Sequence, residues 1–360
     1  MKTIMKTLFV AMTSFALLTS ANAGEMTVSG SAKATWTNLS DGQVGKGIGI
    51  ANELTFGASG ELDNGYTWAV AIALDPTESG TADSTTVAAS GAALNDDSSL
   101  TIGMTGLGTL GIHVSAGGFN GKYGWSSDAY TVMSDTGNSE GATYPGDLGS
   151  TANIQFATEA GLLPLGTVLQ AGYGYAKSDA QSANAPGSIG DNMSAYGITM
   201  KPIDGLTIGG TYNQVEAYTD GTAHAQDEQG GAAYAKYATG PITIGYGKSW
   251  KAPTLSKGAT ATTVGTSSTG SAIVEYYENT GVSVGYALND QVRISYTREK
   301  SEANYLTSTT TNYDITQSSY QVAYNIGGAT VSLVRHDTDN KSYVNNDDTS
   351  ETLIAIAMAF

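Results

Sequence analysis

Apolar and polar residues alternate with a period of two through most of this chain, and the connections that break the pattern are by turns short and long. From Met26 to Trp36 the even positions read Met26, Val28, Gly30, Ala32, Ala34 and Trp36, and the odd ones Thr27, Ser29, Ser31, Lys33 and Thr35. Ile48, Ile50, Leu54, Phe56 and Ala58 follow, then the turn Leu62-Asp63-Asn64-Gly65, then Tyr66, Trp68, Val70, Ile72 and Leu74. Such a period gives a strand one apolar and one polar face, and helical spacing fails in these windows. Asn-Gly between two alternating runs marks a tight hairpin.

The short connections fall at 62–65, 106–108, 159–166, 202–205, 240–241, 288–291 and 326–328. Between them lie longer stretches rich in Asp, Asn, Ser, Thr and Gly, near 39–46, 76–98, 116–150, 178–191, 217–228, 251–269, 303–312 and 339–349. Seven short and eight long connections join about sixteen strands. A soluble sandwich has no reason to gather every tight turn at one end. A transmembrane barrel does, because its hairpins close on the periplasmic side and its loops face outward. The expected fold is therefore all-β, an antiparallel up-and-down barrel crossing the outer membrane. In the run 228–238 the pattern admits either Tyr234 or Tyr237 on the outward face.

Composition excludes the alternatives. Charged residues make up 14% of the chain, against roughly 25% in globular domains, and no apolar run after the start approaches the ~20 residues a spanning helix needs. In hydrocarbon every backbone N–H and C=O must be paired, so without helical spans only a closed barrel can cross. Lys2 and Lys6, the apolar stretch Leu8–Leu18 and Ala21-Asn22-Ala23 together read as a secretory signal peptide over residues 1–23, with the barrel occupying 24–360. Removing Lys2 and Lys6 leaves 14 basic residues against 33 acidic ones, a net charge of −19. Nucleic acid is thereby excluded as a partner, since phosphate recognition needs a basic surface. The chain has no cysteine, which rules out disulfides and thiolate metal sites.

A barrel this wide is not filled by its own side chains and leaves an aqueous channel. Inward Thr, Ser, Lys, Glu and Gly suit water. Trp36, Tyr66, Trp68, Tyr173, Tyr175, Tyr246, Trp250, Tyr276, Tyr277, Tyr286, Tyr296, Tyr305 and Tyr313 lie near strand ends, where interfacial girdles need amphipathic rings. The third long connection, 116–150, carries Phe119, Tyr123, Trp125, Tyr130 and Tyr144. Disordered segments usually lack aromatics, so this one is expected to be packed.

The signal, the GELDNGYTWAVAI hairpin, the GMTGLGTLGIHV strand–turn–strand before the long third loop, and Phe360 at the end resemble the trimeric general porins of Gram-negative bacteria, nearest the alphaproteobacterial (Rhodobacter-like) type. The resemblance implies a homotrimer, outer-membrane lipid and lipopolysaccharide as surroundings, and a third loop folded into the pore as its constriction. It also implies an aromatic C-terminal residue, here Phe360, read by the outer-membrane assembly machinery. Family constrictions oppose acidic loop groups to basic wall groups. The loop candidates are Asp128, Asp135, Glu140 and Asp147, and the wall candidates Lys33, Arg293 and Arg335, with the facing of Arg335 and of Lys248 left open by their strands. Opposed charges orient dipolar solutes and slow apolar ones. So few basic groups favour cation preference.

Other chemistry finds little support. Gly106-Leu107-Gly108-Thr109-Leu110-Gly111 fits G-x-G-x-x-G, but a strand follows where a dinucleotide site needs a helix. His113, His224 and His336 are scattered and there is no G-x-S-x-G elbow, so no enzymatic activity is expected. No cofactor is expected beyond calcium, for which the loops offer clustered oxygens at Asp96, Asp97, Asp337 and Asp339 without EF-hand spacing. The expected function is passive diffusion of small hydrophilic solutes and ions. The alternatives are a substrate-selective channel for sugars or other nutrients, or a barrel whose outer loops act as an adhesin.

Overall fold

The structure is a computed structural model that describes residues 25–40, 46–74, 97–114, 124–130, 141–146, 148, 151–176, 192–216, 224–256, 274–305 and 313–360. Residues 1–24, including the expected signal segment, lie outside this set. Sixteen strands form one closed barrel. Glu25–Leu39 (β1), Lys46–Glu61 (β2), Thr67–Leu74 (β3) and Asp97–Met104 (β4) come first. Gly108–Val114 (β5), Thr151–Thr158 (β6), Val168–Ala176 (β7) and Asn192–Ile203 (β8) follow. Leu206–Glu216 (β9), Gln229–Thr239 (β10), Ile242–Ala252 (β11) and Val274–Ala287 (β12) come next. Val292–Tyr305 (β13), Ile315–Ile326 (β14), Ala329–Asp339 (β15) and Thr349–Ala359 (β16) complete the wall.

Every neighbour in the chain is an antiparallel neighbour in the sheet, and β1 closes the ring against β16. Beyond the last strand pair, Gly30 and Phe360 exchange backbone hydrogen bonds of 2.8 and 3.0 Å. Closure leaves no unpaired sheet edge, the condition for a sheet in hydrocarbon. A two-stranded ribbon, His224–Gln226 against Leu255–Ser256, stands at the loop end. Among the described residues no helix is long and apolar enough to cross a membrane.

Register explains the alternation. Ala34 pairs with Ile50 on one side and Ile356 on the other, and Trp36 with Ile48 and Ile354. Apolar partners thus meet on the outer face around the closure. A slip of one residue would turn each strand's apolar set into the lumen. On the far side Tyr296 and Tyr320 pair across β13 and β14 with ring centroids 5.0 Å apart. The G-x-G-x-x-G segment is a hairpin: Leu107 donates to the Met104 carbonyl at 2.9 Å, and Gly106 takes the left-handed conformation (φ 78°) that the turn requires.

Parity also settles the ambiguous aromatics. Tyr237 pairs with Leu206 and Ile244 on the outer face, so Tyr234 points inward. Tyr277 and Tyr305, expected in the girdle, turn inward instead and pack with Ala303, Ile315 and Tyr343. Period-two patterning cannot separate an aromatic facing lipid from one facing a packed lumen.

Candidate functional site

The lumen is asymmetric. On β1 and β2 the inward side chains Thr27, Ser29, Ser31, Lys33 and Glu53 are exposed. On β11 to β15 the inward side chains are polar yet buried: Ser249, Asn279, Ser283, Ser295, Thr297, Glu299, Ser301, Gln317, Ser319, Gln321, Ser332 and His336. Buried polar atoms in a wall need partners, and the third long connection supplies many of them.

Residues 124–130 lie inside the barrel against this wall. The Ser127 N–H donates to the Ser283 hydroxyl at 3.0 Å, and that hydroxyl donates to the Trp125 carbonyl at 3.2 Å. The Ala129 N–H donates to the Ser295 hydroxyl at 2.8 Å, and the Tyr130 N–H to Gln321 Oε1 at 2.8 Å. Wall side chains thus take the place of a strand ladder for a segment that has none. Further along, Asn279 donates to the Thr143 carbonyl at 3.0 Å, and the Tyr144 hydroxyl to Glu299 at 2.9 Å. Asn153 donates to the Leu148 carbonyl at 2.8 Å, and Leu148 is buried with Met193 and Ala195 on β8.

Two cations sit where this segment meets the wall. Arg293, inward on β13, donates from Nη2 to the Ser127 carbonyl at 3.0 Å. Lys236, inward on β10, reaches the Ser126 carbonyl at 3.4 Å, close enough to Arg293 for the two charges to repel. Asp128 lies beside them, accepting hydrogen bonds from the Thr297 hydroxyl and, at 2.7 Å, from the Ser126 hydroxyl. Burial pushes the Asp128 carboxyl above the usual carboxylate range, against the opposing pull of those hydrogen bonds and of Arg293. The acid on the docked segment is therefore turned to the wall, and its two basic neighbours face the lumen beside it.

The remaining expected residues are dispersed. Lys33 is inward and exposed on β1, pairing in register with Ala51 and Ala357. Arg335, expected on the lumen wall, instead points outward: its row neighbours are Tyr320 and Thr352, and it pairs with Asp337 at 2.8 Å. The alternation misleads there because Val334 is an inward apolar residue, completely buried. Lys248 is also outward, bound to Glu278 at 2.6 Å. Asp135, Glu140, Asp147 and Asp96 lie outside the described residues, as does the Asp97 side chain. Asp337 is engaged by Arg335, Asp339 follows it on the same outward face, and the described residues hold no group of three acids or histidines spaced for a metal. Sequence reading missed Lys236, since neither parity of Ala232–Ala238 is apolar enough to assign its face.

No protein-family model matches the chain, and no curated protein matches it by sequence. Solved structures do match in fold. A loop L8 deletion mutant of OmpT, an outer membrane protein of Vibrio cholerae, aligns with TM-score 0.64 at 13% identity, covering 94% of this chain and all of that one. Salmonella typhi OmpF, in complex with daunomycin, gives 0.64 at 13% identity over 94% and 98% of the two chains. An anion-selective porin from Comamonas acidovorans gives 0.61 at 10% identity over 94% and 100%. The fold is that of multi-pass outer-membrane barrels.

Proposed function

We propose that this chain is an outer-membrane diffusion channel that passes small hydrophilic solutes and ions down their gradients, without catalysis. The observation that carries this reading is the asymmetric lumen. Residues 124–130 and 141–146 of the third connection pack against the inner wall of β11 to β14, while the polar inner faces of β1 and β2 stay exposed. A sixteen-stranded barrel half-blocked in this way keeps a water-filled path of restricted width. The fold shared with outer-membrane barrels, among them an anion-selective porin from Comamonas acidovorans, supports it.

The finer parts of the reading follow from charge and surface. The mature chain's acid excess favours a weak cation preference, opposed at the narrowing by Lys236 and Arg293. That pair is what favours the second reading, a channel selective for solutes carrying an anionic group. Assembly as a homotrimer is supported by the outer face. Every strand from β7 to β14 carries an outward tyrosine, and no tyrosine occurs in β1 to β6, β15 or β16. Outward tyrosines mark lipid contact, so the tyrosine-free sector, where Ala32 and Ala34 are small on the outer face of β1, is where copies meet. Phe360, exposed on the outer face, suits reading by the assembly machinery.

Purified protein in planar bilayers tests the proposal. Large ungated conductance steps in threes, with a reversal potential displaced toward the cation equilibrium, are expected. Silence from correctly folded protein would overturn the channel reading, and block by one solute at micromolar concentration would replace it with the selective one.

A further inference from the structure

We propose that Trp125 and a socket of three wall glycines, Gly245, Gly247 and Gly281, set the aperture of the pore by latching the third connection to the wall; this rests on the diffusion-channel reading above. Gly245 and Gly247 are inward on β11, and Gly281 is the cross-strand partner of Gly247 on β12. Glycine weakens a strand, so a cluster within one needs a reason. Backbone conformation is not that reason, because none of the three adopts a positive φ. Space is. A Cβ added at Gly245 would lie 1.6 Å from the Trp125 carbonyl oxygen, at Gly247 2.2 Å from Trp125 Cδ1, and at Gly281 2.3 Å from Trp125 Cζ2.

Trp125 thus lies in a groove that exists only because three side chains are missing, its ring over Gly247 and Gly281 and its carbonyl over Gly245, and the residue is 5% exposed there. Ser283, one pleat along from Gly281, holds both sides of the seat through the Trp125 carbonyl and the Ser127 N–H. Next along β12, a Cβ at Gly285 would lie 2.8 Å from the Ser127 carbonyl oxygen, so the close approach continues past the indole. A large rigid ring in a matched groove specifies one position of the segment, and hydrogen bonds from flexible polar side chains alone would specify it less sharply. With the latch seated, the segment occupies the lumen in front of β11 to β14 and leaves the path along β1 and β2. With the latch withdrawn, that space opens to solute.

The test compares the wild-type protein with Trp125→Ala and Gly281→Val by single-channel conductance and by the size cut-off for neutral polymers. Both variants are expected to raise conductance by about twofold, broaden its spread and admit larger polymers. Because the chain has no cysteine, Ser127→Cys/Ser283→Cys adds an independent reading: the two hydroxyls are 2.8 Å apart, so diamide should crosslink the pair in the folded barrel. Oxidising that pair in the Trp125→Ala background is expected to return conductance toward wild type, which a general loss of packing would not allow. Folded variants, judged by heat-dependent gel mobility, with wild-type conductance and cut-off would overturn the proposal. So would failure of the cysteine pair to crosslink, a result that holds even if a silent wild-type protein has overturned the channel reading.

Discussion

The inner wall of β1 and β2 and the inner wall of β11 to β15 are written in the same residue types and do opposite work. Ser29, Ser31 and Lys33 are exposed, whereas Ser283 and Ser295 are almost wholly buried. On the first wall a serine is polar because water is beside it. On the second it is polar because a backbone N–H or carbonyl of the docked segment is beside it. Alternation reports that an inward face is polar and is silent on what that polarity meets.

Substitutions at matched positions break or sharpen this contrast most directly. Ser283→Leu removes the partner of Ser127 N–H and of the Trp125 carbonyl and forces a larger side chain under the docked segment. The expected cost is about 2–4 kcal/mol, from unsatisfied buried groups and overpacking together. Ser31→Leu, on the open wall, should stay within about 0.5 kcal/mol, as exposed substitutions do. Denaturant midpoints of the two variants in detergent measure the difference. Equal costs would mean that the two walls are not distinct.

Charge gives the next largest effect. Arg293→Ala and Lys236→Ala each remove a cation from the edge of the docked segment, and Lys33→Ala removes one from the open wall. All three should move the reversal potential toward cations. The first two should move it more, each by about two- to fivefold in the permeability ratio if a charge near the narrowing contributes about 0.5–1 kcal/mol to an ion's energy there. A larger effect from Lys33 would place the narrowest point against β1 instead.

How much of this was legible in the sequence depends on whether one face or both faces of a strand met a uniform medium. Strands such as β1 and β16, with lipid-compatible residues outward and small or polar ones inward, declare their register, and the run of tight turns and long loops declares the barrel. The site was less legible because its residues serve the packed segment. Val334 inward and Tyr277 inward look, in sequence, like lipid-facing residues, and they misplaced Arg335 and the girdle. Lys236 was hidden because Ala233, Ala235 and Gly231 leave the outward face of β10 without an apolar stripe. The glycines of β11 and β12 were visible as glycines, but nothing local shows that a tryptophan 120 to 156 positions earlier fills the space they leave.

Asp128 gives a smaller effect with a definite sign. Its carboxyl is raised by burial, so the folded state favours the protonated form more than the unfolded chain does. That contribution is fully present below the ordinary carboxylate range and is lost as pH rises through the raised value. The barrel should therefore lose a little stability between mildly acidic and neutral pH, and Asp128→Asn should flatten that slope while keeping an acceptor for Thr297. Thermal midpoints of both proteins from pH 3 to 7 check it. A wild-type midpoint that instead rises over the upper part of that range, with the rise lost in Asp128→Asn, would show that the hydrogen bonds and Arg293 outweigh desolvation.

Arg335 should matter least, and for that reason it tests the inward–outward assignment on which the comparison of walls rests. Its guanidinium is bound to Asp337 at 2.8 Å and reaches the Thr352 hydroxyl at 3.1 Å, all on the outer face and all partly exposed. Exposed pairs of this kind are worth about 0.2–1 kcal/mol, so Arg335→Ala should lower the denaturation midpoint slightly. It should leave conductance and reversal potential unchanged, because the barrel wall separates it from the lumen. Arg293→Ala, inward on β13, must change both. If Arg335→Ala moved the reversal potential as far as Arg293→Ala does, the register of β15 would be off by one residue. His336 would then face outward, and the loop-covered wall would end one strand earlier, at β14.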